Sequence, residues 1–128
     1  MGVRREPASL QVSLILRAEQ VAIFAAGVIL WFVNGGPPLL LIPALLAPDL
    51  SMVGYLRGPA LGAITYNAVH HLVLALALLG LGAWLSAEWL LLAGAVALAH
   101  VGMDRALGYG LKLPGDFRDT HLGRIGRG

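Results

Sequence analysis

His100 and Asp104 stand four residues apart in Ala99-His100-Val101-Gly102-Met103-Asp104-Arg105. On a helix that spacing puts both side chains on one face. A neutral imidazole beside a carboxylate is half of a divalent metal site. The same pair also reads as a buried structural contact, with Asp104 satisfied by His100 or Arg105. A second group is Tyr66-Asn67-Ala68-Val69-His70-His71, where Asn67 precedes one histidine by three residues and the other by four. Either histidine can lie beside Asn67, so spacing does not choose between them. Asn67 then either orients a ligand or joins helices by hydrogen bonding. The third group is Pro48-Asp49. Proline removes a helical hydrogen bond, and Asp49 either caps a following short helix or turns its carboxylate into a cavity. Glu19, with Asp119 and His121 of Asp116-Phe117-Arg118-Asp119-Thr120-His121, completes the ionisable set.

These groups sit in an unusual setting. The 128 residues are 58% hydrophobic and 12% charged, with a mean hydropathy of +0.78. Soluble domains are about 45–50% apolar and about 25% charged. The composition is that of a single integral membrane domain over residues 1–128. With no cysteine, disulfides, thiolate nucleophiles and cysteine-based metal sites are excluded. The net charge is only +2, and no basic stripe carries interleaved aromatics. Nucleic acid is therefore not an expected partner, whereas anionic lipid headgroups are.

A spanning helix needs about 20 mostly apolar residues. The chain predicts an all-α bundle of four transmembrane helices over about 14–33, 38–56, 60–85 and 87–109, followed by a polar tail, 110–128. Asn34-Gly35-Gly36-Pro37-Pro38 marks the first turn, Pro43 and Pro48 break the second span, and Ser86 is the expected cap of the fourth helix. Four spans place Arg4, Arg5, Arg17, Arg57, Arg105, Lys112, Arg118, Arg124 and Arg127 on one face, the complete set of nine Lys and Arg. The positive-inside rule makes that face, with both termini, cytoplasmic in a multi-pass protein of the cell membrane. Trp31, Trp84 and Trp89 are then expected at the outer interface. Counting from the cytoplasmic ends at about 1.5 Å per residue, Asp49 and His70 lie about 12 and 20 Å deep, and Asp104 and His100 about 8 and 14 Å. Glu19 lies near the same face. Ionisable groups at such depth cost at least about 2.5–3.5 kcal/mol each at a helix centre, so their convergence in one half of the bundle points to a site.

Pro48-Asp49-Leu50-Ser51-Met52, Gly54-Tyr55, Tyr66-Asn67 with His70, and His100-Val101-Gly102-Met103-Asp104-Arg105 together resemble the DUF4260 family of small membrane proteins. The resemblance continues through Gly108-Tyr109-Gly110-Leu111-Lys112 and Phe117 to Arg124, covering about Arg17 to Gly126. It implies His70 rather than His71 as the ligand, and implies no activity. A weaker similarity links Pro48-Asp49 and His100 to Asp104 with membrane-bound metal-dependent hydrolases of the YdjM type.

The function expected from these residues is a metal-dependent hydrolase acting on a lipid or amphiphile at the cytoplasmic leaflet. Asp49, His70, His100 and Asp104 would hold a divalent ion, with His121 as a further ligand if the tail folds back. Imidazole ligands favour zinc. The ion would bring the pKa of a bound water toward about 7. Glu19 or Asp119 would act as base, and Tyr55 or Tyr109 would stabilise the oxyanion. The alternative reading is a small transporter or proton relay lined by the same groups. A structural subunit is a third reading, with Gly80, Gly82 and Gly94 supporting close helix contacts, and a homo-oligomer is compatible with it.

Overall fold

Ser9 starts the first helix by accepting the Val12 N–H on its hydroxyl (3.3 Å), which satisfies one otherwise unpaired donor of the first turn. The computed structural model describes residues 9–126. Arg4, Arg5, Arg127 and the extreme termini of the expected topology lie outside them. Helix α1 runs Leu10–Val33 and ends where Asn34 turns its own amide onto Leu30 O (2.8 Å). Gly36 then tucks under the Trp31 indole, where a Cβ would meet the ring at 2.4 Å. The indole N–H donates to Pro37 O (3.1 Å). Trp31 is thus buried at the end of α1 and locks the turn. Trp84 and Trp89 are exposed.

The second span is broken at Pro48 as expected, whereas Pro43 lies in the first turn of a short helix, where its missing N–H costs no helical bond. A 3-10 turn, Pro38–Leu40, leads into α2, Leu41–Leu46, and then into a 3-10 helix, Ala47–Arg57. Runs of 3-10 helix beyond 3–4 residues are uncommon. Here Ser51 Oγ donates to Pro48 O (2.7 Å), adding a side-chain bond to the first turn of the segment. Gly58, at φ +128°, reverses the chain into α3, Pro59–Val69.

The third span departs from the expected continuous helix. It consists of α3 and α4, Leu72–Leu85, separated at His70-His71 without glycine or proline. His70 leaves helical geometry (φ −103°, ψ 40°). His71 restarts the helix by accepting the Leu74 N–H on Nδ1 (3.2 Å). Ser86 is the left-handed residue that ends α4, at φ 52°, so it does not cap the next helix. Ala87 does.

Helix α5, Glu88–Leu107, is the axis of the molecule, buried on all sides from Gly94 to Gly102. Helix α1 flanks it so closely that a Cβ on Gly27 would lie 2.5 Å from Ala99 N, and one on Gly102 would lie 2.5 Å from Phe24 N. Such small-residue contacts are how helices associate where lipid removes the hydrophobic drive. Gly94 and Gly82 do the same against Leu79 and Leu91 across the α4 interface, whereas Gly80 meets nothing within 4 Å. Four apolar segments are long enough to cross a membrane, Leu10–Val33, Pro38–Arg57, Pro59–Leu85 and Glu88–Leu107. The chain is an all-α, multi-pass membrane protein. Its tail folds back into a small hairpin, β1 (Asp119–Thr120) against β2 (Gly123–Arg124), with Lys112 bridged to Thr120.

Candidate metal centre

Two departures from α-helix and one continuous helix converge on one point. The 3-10 helix carries Asp49, the α3–α4 break releases the His70 ring, and α5 presents His100 and Asp104 on one face. His70 Nε2 lies 3.0 Å from His100 Nε2. Asp49 Oδ1 is 3.3 Å from His70 Nε2 and 3.2 Å from His100 Nε2. Asp104 Oδ2 is 3.2 Å from His100 Nε2 and 3.8 Å from His70 Nε2. All four ligand atoms lie within 4.8 Å of one another. Ligands at about 2.0–2.1 Å from a tetrahedral ion are separated by about 3.3–3.4 Å. The cluster has the dimensions of a metal site.

The far side of each ring explains the direction of the near side. His70 Nδ1 is 2.8 Å from Tyr66 O, and His100 Nδ1 meets Leu45 O. A carbonyl only accepts, so both Nδ1 atoms carry the proton and donate. In neutral rings both Nε2 atoms then present lone pairs to each other and to two carboxylates. Four electron-pair donors face one another, an arrangement that requires a cation or added protons between them. Backbone carbonyls fixing the tautomer of metal-binding histidines are a common supporting feature.

Tyr66 strengthens the arrangement. Its hydroxyl donates to Asp104 Oδ2 (3.1 Å), and its ring stacks on His70 at 3.6 Å and 8°. Arg105 Nη2 donates to His70 O (3.2 Å), holding the carbonyl released by the helix break. Sequence reasoning missed these two roles. The signal for Tyr66 was its place four residues before His70, one helical turn away.

The family described as a domain of unknown function (DUF4260) matches residues 13–125, a stretch that holds all four clustered side chains. The chain belongs to the DUF4260 family. No curated protein and no solved structure matches it, and the similarity to YdjM-type hydrolases is not shown.

In this DUF4260 protein the remaining candidate ligands and catalytic residues, His121, Asp119, Glu19, Tyr55 and Tyr109, lie elsewhere, and none of them hydrogen-bonds to the cluster among the described residues. His121 is the clearest correction. Its Nδ1 accepts the Leu111 N–H (2.8 Å), and its Nε2 lies 3.1 Å from Arg105 Nη1. Burial and then the guanidinium hold His121 below its ordinary pKa, and that positive neighbour opposes a bound cation. Asp119 is engaged by Arg124 Nη1 (2.6 Å), while Asp116 takes Nη2 (3.1 Å). The backbone N–H of Arg118, and then Arg124, hold the Asp116 carboxyl below its usual range. Glu19 is exposed on α1. The Tyr55 hydroxyl is buried without a partner among the described residues, with its ring edge-on to Phe117 at 5.2 Å. Tyr109 is exposed at the end of the bundle.

Asn67 orients no histidine. Its amide instead clamps the tail, donating to Lys112 O and accepting the Lys112 N–H, both at 2.7 Å. Lys112 is consequently buried, with Nζ 3.9 Å from the centre of the Phe117 ring and 5.0 Å from that of Tyr66. Burial lowers the pKa of its ammonium, and the charges of Asp104 and Asp49 oppose that shift.

Proposed function

We propose that this DUF4260 protein is a divalent-metal-dependent hydrolase acting on a lipid or amphiphile at the cytoplasmic leaflet. The observation that carries the reading is the convergence of four ligand atoms within 4.8 Å, with both imidazoles tethered by their Nδ1 atoms. Imidazole ligands make zinc the favoured ion. When bound, such an ion lowers the pKa of a coordinated water toward about 7.

The chain's own residues divide by depth. His70, His100 and Asp104 side chains are 3%, 0% and 14% exposed, whereas that of Asp49 is 37% exposed. The three deeper side chains could hold the ion while the half-exposed Asp49 stays off it, which would leave the position that a catalytic centre keeps for water. Asp49, 3.3 Å from His70 Nε2 and 3.2 Å from His100 Nε2, would then be the carboxylate available to take a proton there. Tyr66 keeps the Asp104 carboxylate turned toward the histidines. The excess of Lys and Arg on the same face supports a cytoplasmic orientation and anionic headgroups as neighbours.

A second reading draws on the 3.0 Å contact between the two Nε2 atoms, which also suits a shared proton in a relay. Beyond His100, however, the α5 core continues through Ala99, Leu98, Ala97, Val96 and Ala95. These residues offer a proton no further station. The test is hydrolysis itself. Metal-stripped protein in mild detergent is incubated with a total membrane lipid extract, with and without added zinc, and the products are followed by mass spectrometry. New cleavage products are expected only with zinc, and not with Asp104→Asn. No product in any arm, with manganese and magnesium also tried, contradicts the hydrolase reading.

A further inference from the structure

A second polar feature lies between the start of α1, the end of α5 and the tail hairpin, in a cleft of about 610 Å³. Three guanidinium groups from three distant parts of the chain line it: Arg17 of α1, Arg105 of α5 and Arg124 of β2. Among the described residues no carboxylate lines it. Asp116 and Asp119 hold two nitrogens of Arg124 without entering the lining. Each guanidinium has five N–H donors. Arg124 gives one bond to each of those acids, and Arg105 gives one to His70 O and one to His121 Nε2, which also lines the cleft, so each keeps three of its five donors for a ligand.

The rest of the lining narrows the ligand's chemistry. Gln20 contributes to the cleft, and among the described residues its buried Oε1 has no hydrogen-bond partner. Leu16 and Leu122 add an apolar flank. Planar forks of N–H donors match phosphate oxygens in geometry and charge. At the end of a membrane bundle, phosphate beside apolar surface describes a phosphorylated amphiphile.

We propose that this cleft binds the phosphate group of such a ligand. The binding stands independently, while the idea that the bound phosphate ester is also the substrate rests on the hydrolase reading. Arg105 joins the two features, being next to Asp104 in sequence and hydrogen-bonded to the backbone of His70. A phosphate held by Arg105 would therefore lie alongside the metal-binding cluster.

The experiment uses the full chain in neutral detergent, stripped of metal and freed of chelator. It is titrated separately with dioctanoyl phosphatidic acid, with dioctanoylglycerol (the same chains without phosphate) and with inorganic phosphate, while the thermal midpoint is followed. Phosphatidic acid is expected to raise the midpoint saturably and dioctanoylglycerol to leave it unmoved, with inorganic phosphate competing. Arg17→Gln, an exposed change on α1, should weaken binding about tenfold, as loss of a charge-assisted contact does, and leave the unliganded midpoint unchanged. A saturable response to inorganic phosphate alone, lost in Arg17→Gln, also supports the site and assigns it to a soluble phosphate. Equal responses to the two lipids overturn the proposal, as do unaltered affinities in both Arg17→Gln and Arg124→Gln. With metal absent throughout, failure of the hydrolase reading does not change this result, and failure here does not touch the metal site.

Discussion

Helix α5 contains two regions built on different principles. From Gly94 to Ala99 it is small and apolar, and α1 and α4 approach it until backbone meets backbone. From His100 to Arg105 close packing continues only at Gly102, and the polar side chains His100, Asp104 and Arg105 are held by directed hydrogen bonds to Leu45, Tyr66 and His70. The first region depends on shape and the second on direction. Full burial of His100 is a consequence of the first, since the close packing that excludes lipid also encloses the imidazole. The cost of that enclosure is offset only where every polar atom finds a partner.

The contrast is broken most severely from the apolar side. Gly27→Leu places a side chain where even a Cβ would lie 2.5 Å from Ala99 N. Overpacking typically costs about 1–3 kcal/mol, and because the obstruction here is backbone, a loss above that range is expected. Size-exclusion and thermal unfolding should show an aggregated or strongly destabilised protein, with metal binding lost alongside the fold.

Changes in the polar region should separate chemistry from folding. His100→Ala and Asp104→Asn are each expected to weaken metal binding by more than about 100-fold, beyond the about 10–100-fold typical of a supporting residue. Both proteins should remain monodisperse, since interhelical hydrogen bonds in membranes average only about 0.6 kcal/mol. Isothermal titration with zinc, beside a thermal melt, checks both halves. Tyr66→Phe keeps the ring stacked on His70 and removes the hydroxyl on Asp104. Its expected loss of metal affinity is about tenfold, at the lower end for a group acting through a ligand.

Much of this division can be read in the residue order, and some cannot. The four spans follow from hydropathy, because about 20 apolar residues have one stable use. The break at Pro48 follows from a missing N–H, and the shared face of His100 and Asp104 follows from helical period. The break at His70-His71 does not, since neither residue forbids a helix. It exists because His70 gains tertiary partners and His71 gains the Leu74 N–H, contacts that no local propensity contains. Ser86 has the composition of an N-cap yet ends α4 in a left-handed conformation, a role serine fills only when the surrounding turn demands it. The burial of Trp31 likewise depends on tertiary contacts, the Pro37 carbonyl and the close approach of Gly36. The tail was legible as polar, but its docking through Asn67 and Lys112 depends on a pairing 45 residues apart.

The smallest expected effect lies in that tail. The Asp116 carboxyl is held below its ordinary value. Its contribution to the hairpin is therefore complete above that value and is lost as pH falls through the lowered one, below about pH 4. Hydrogen exchange in the 116–125 segment should quicken there before α5 is affected. Simultaneous loss of protection in both would show that the hairpin and the bundle are one cooperative unit.

The most direct measurement is the metal content of the protein purified in mild detergent without added metal, beside an Asp104→Asn and a His100→Ala preparation. One divalent ion per folded wild-type chain, absent from both variants, is the result that the tethered imidazoles and converging carboxylates predict. A wild-type protein that holds no stoichiometric metal and takes up none from zinc-containing buffer contradicts it. The four groups would then be a proton-sharing structural cluster.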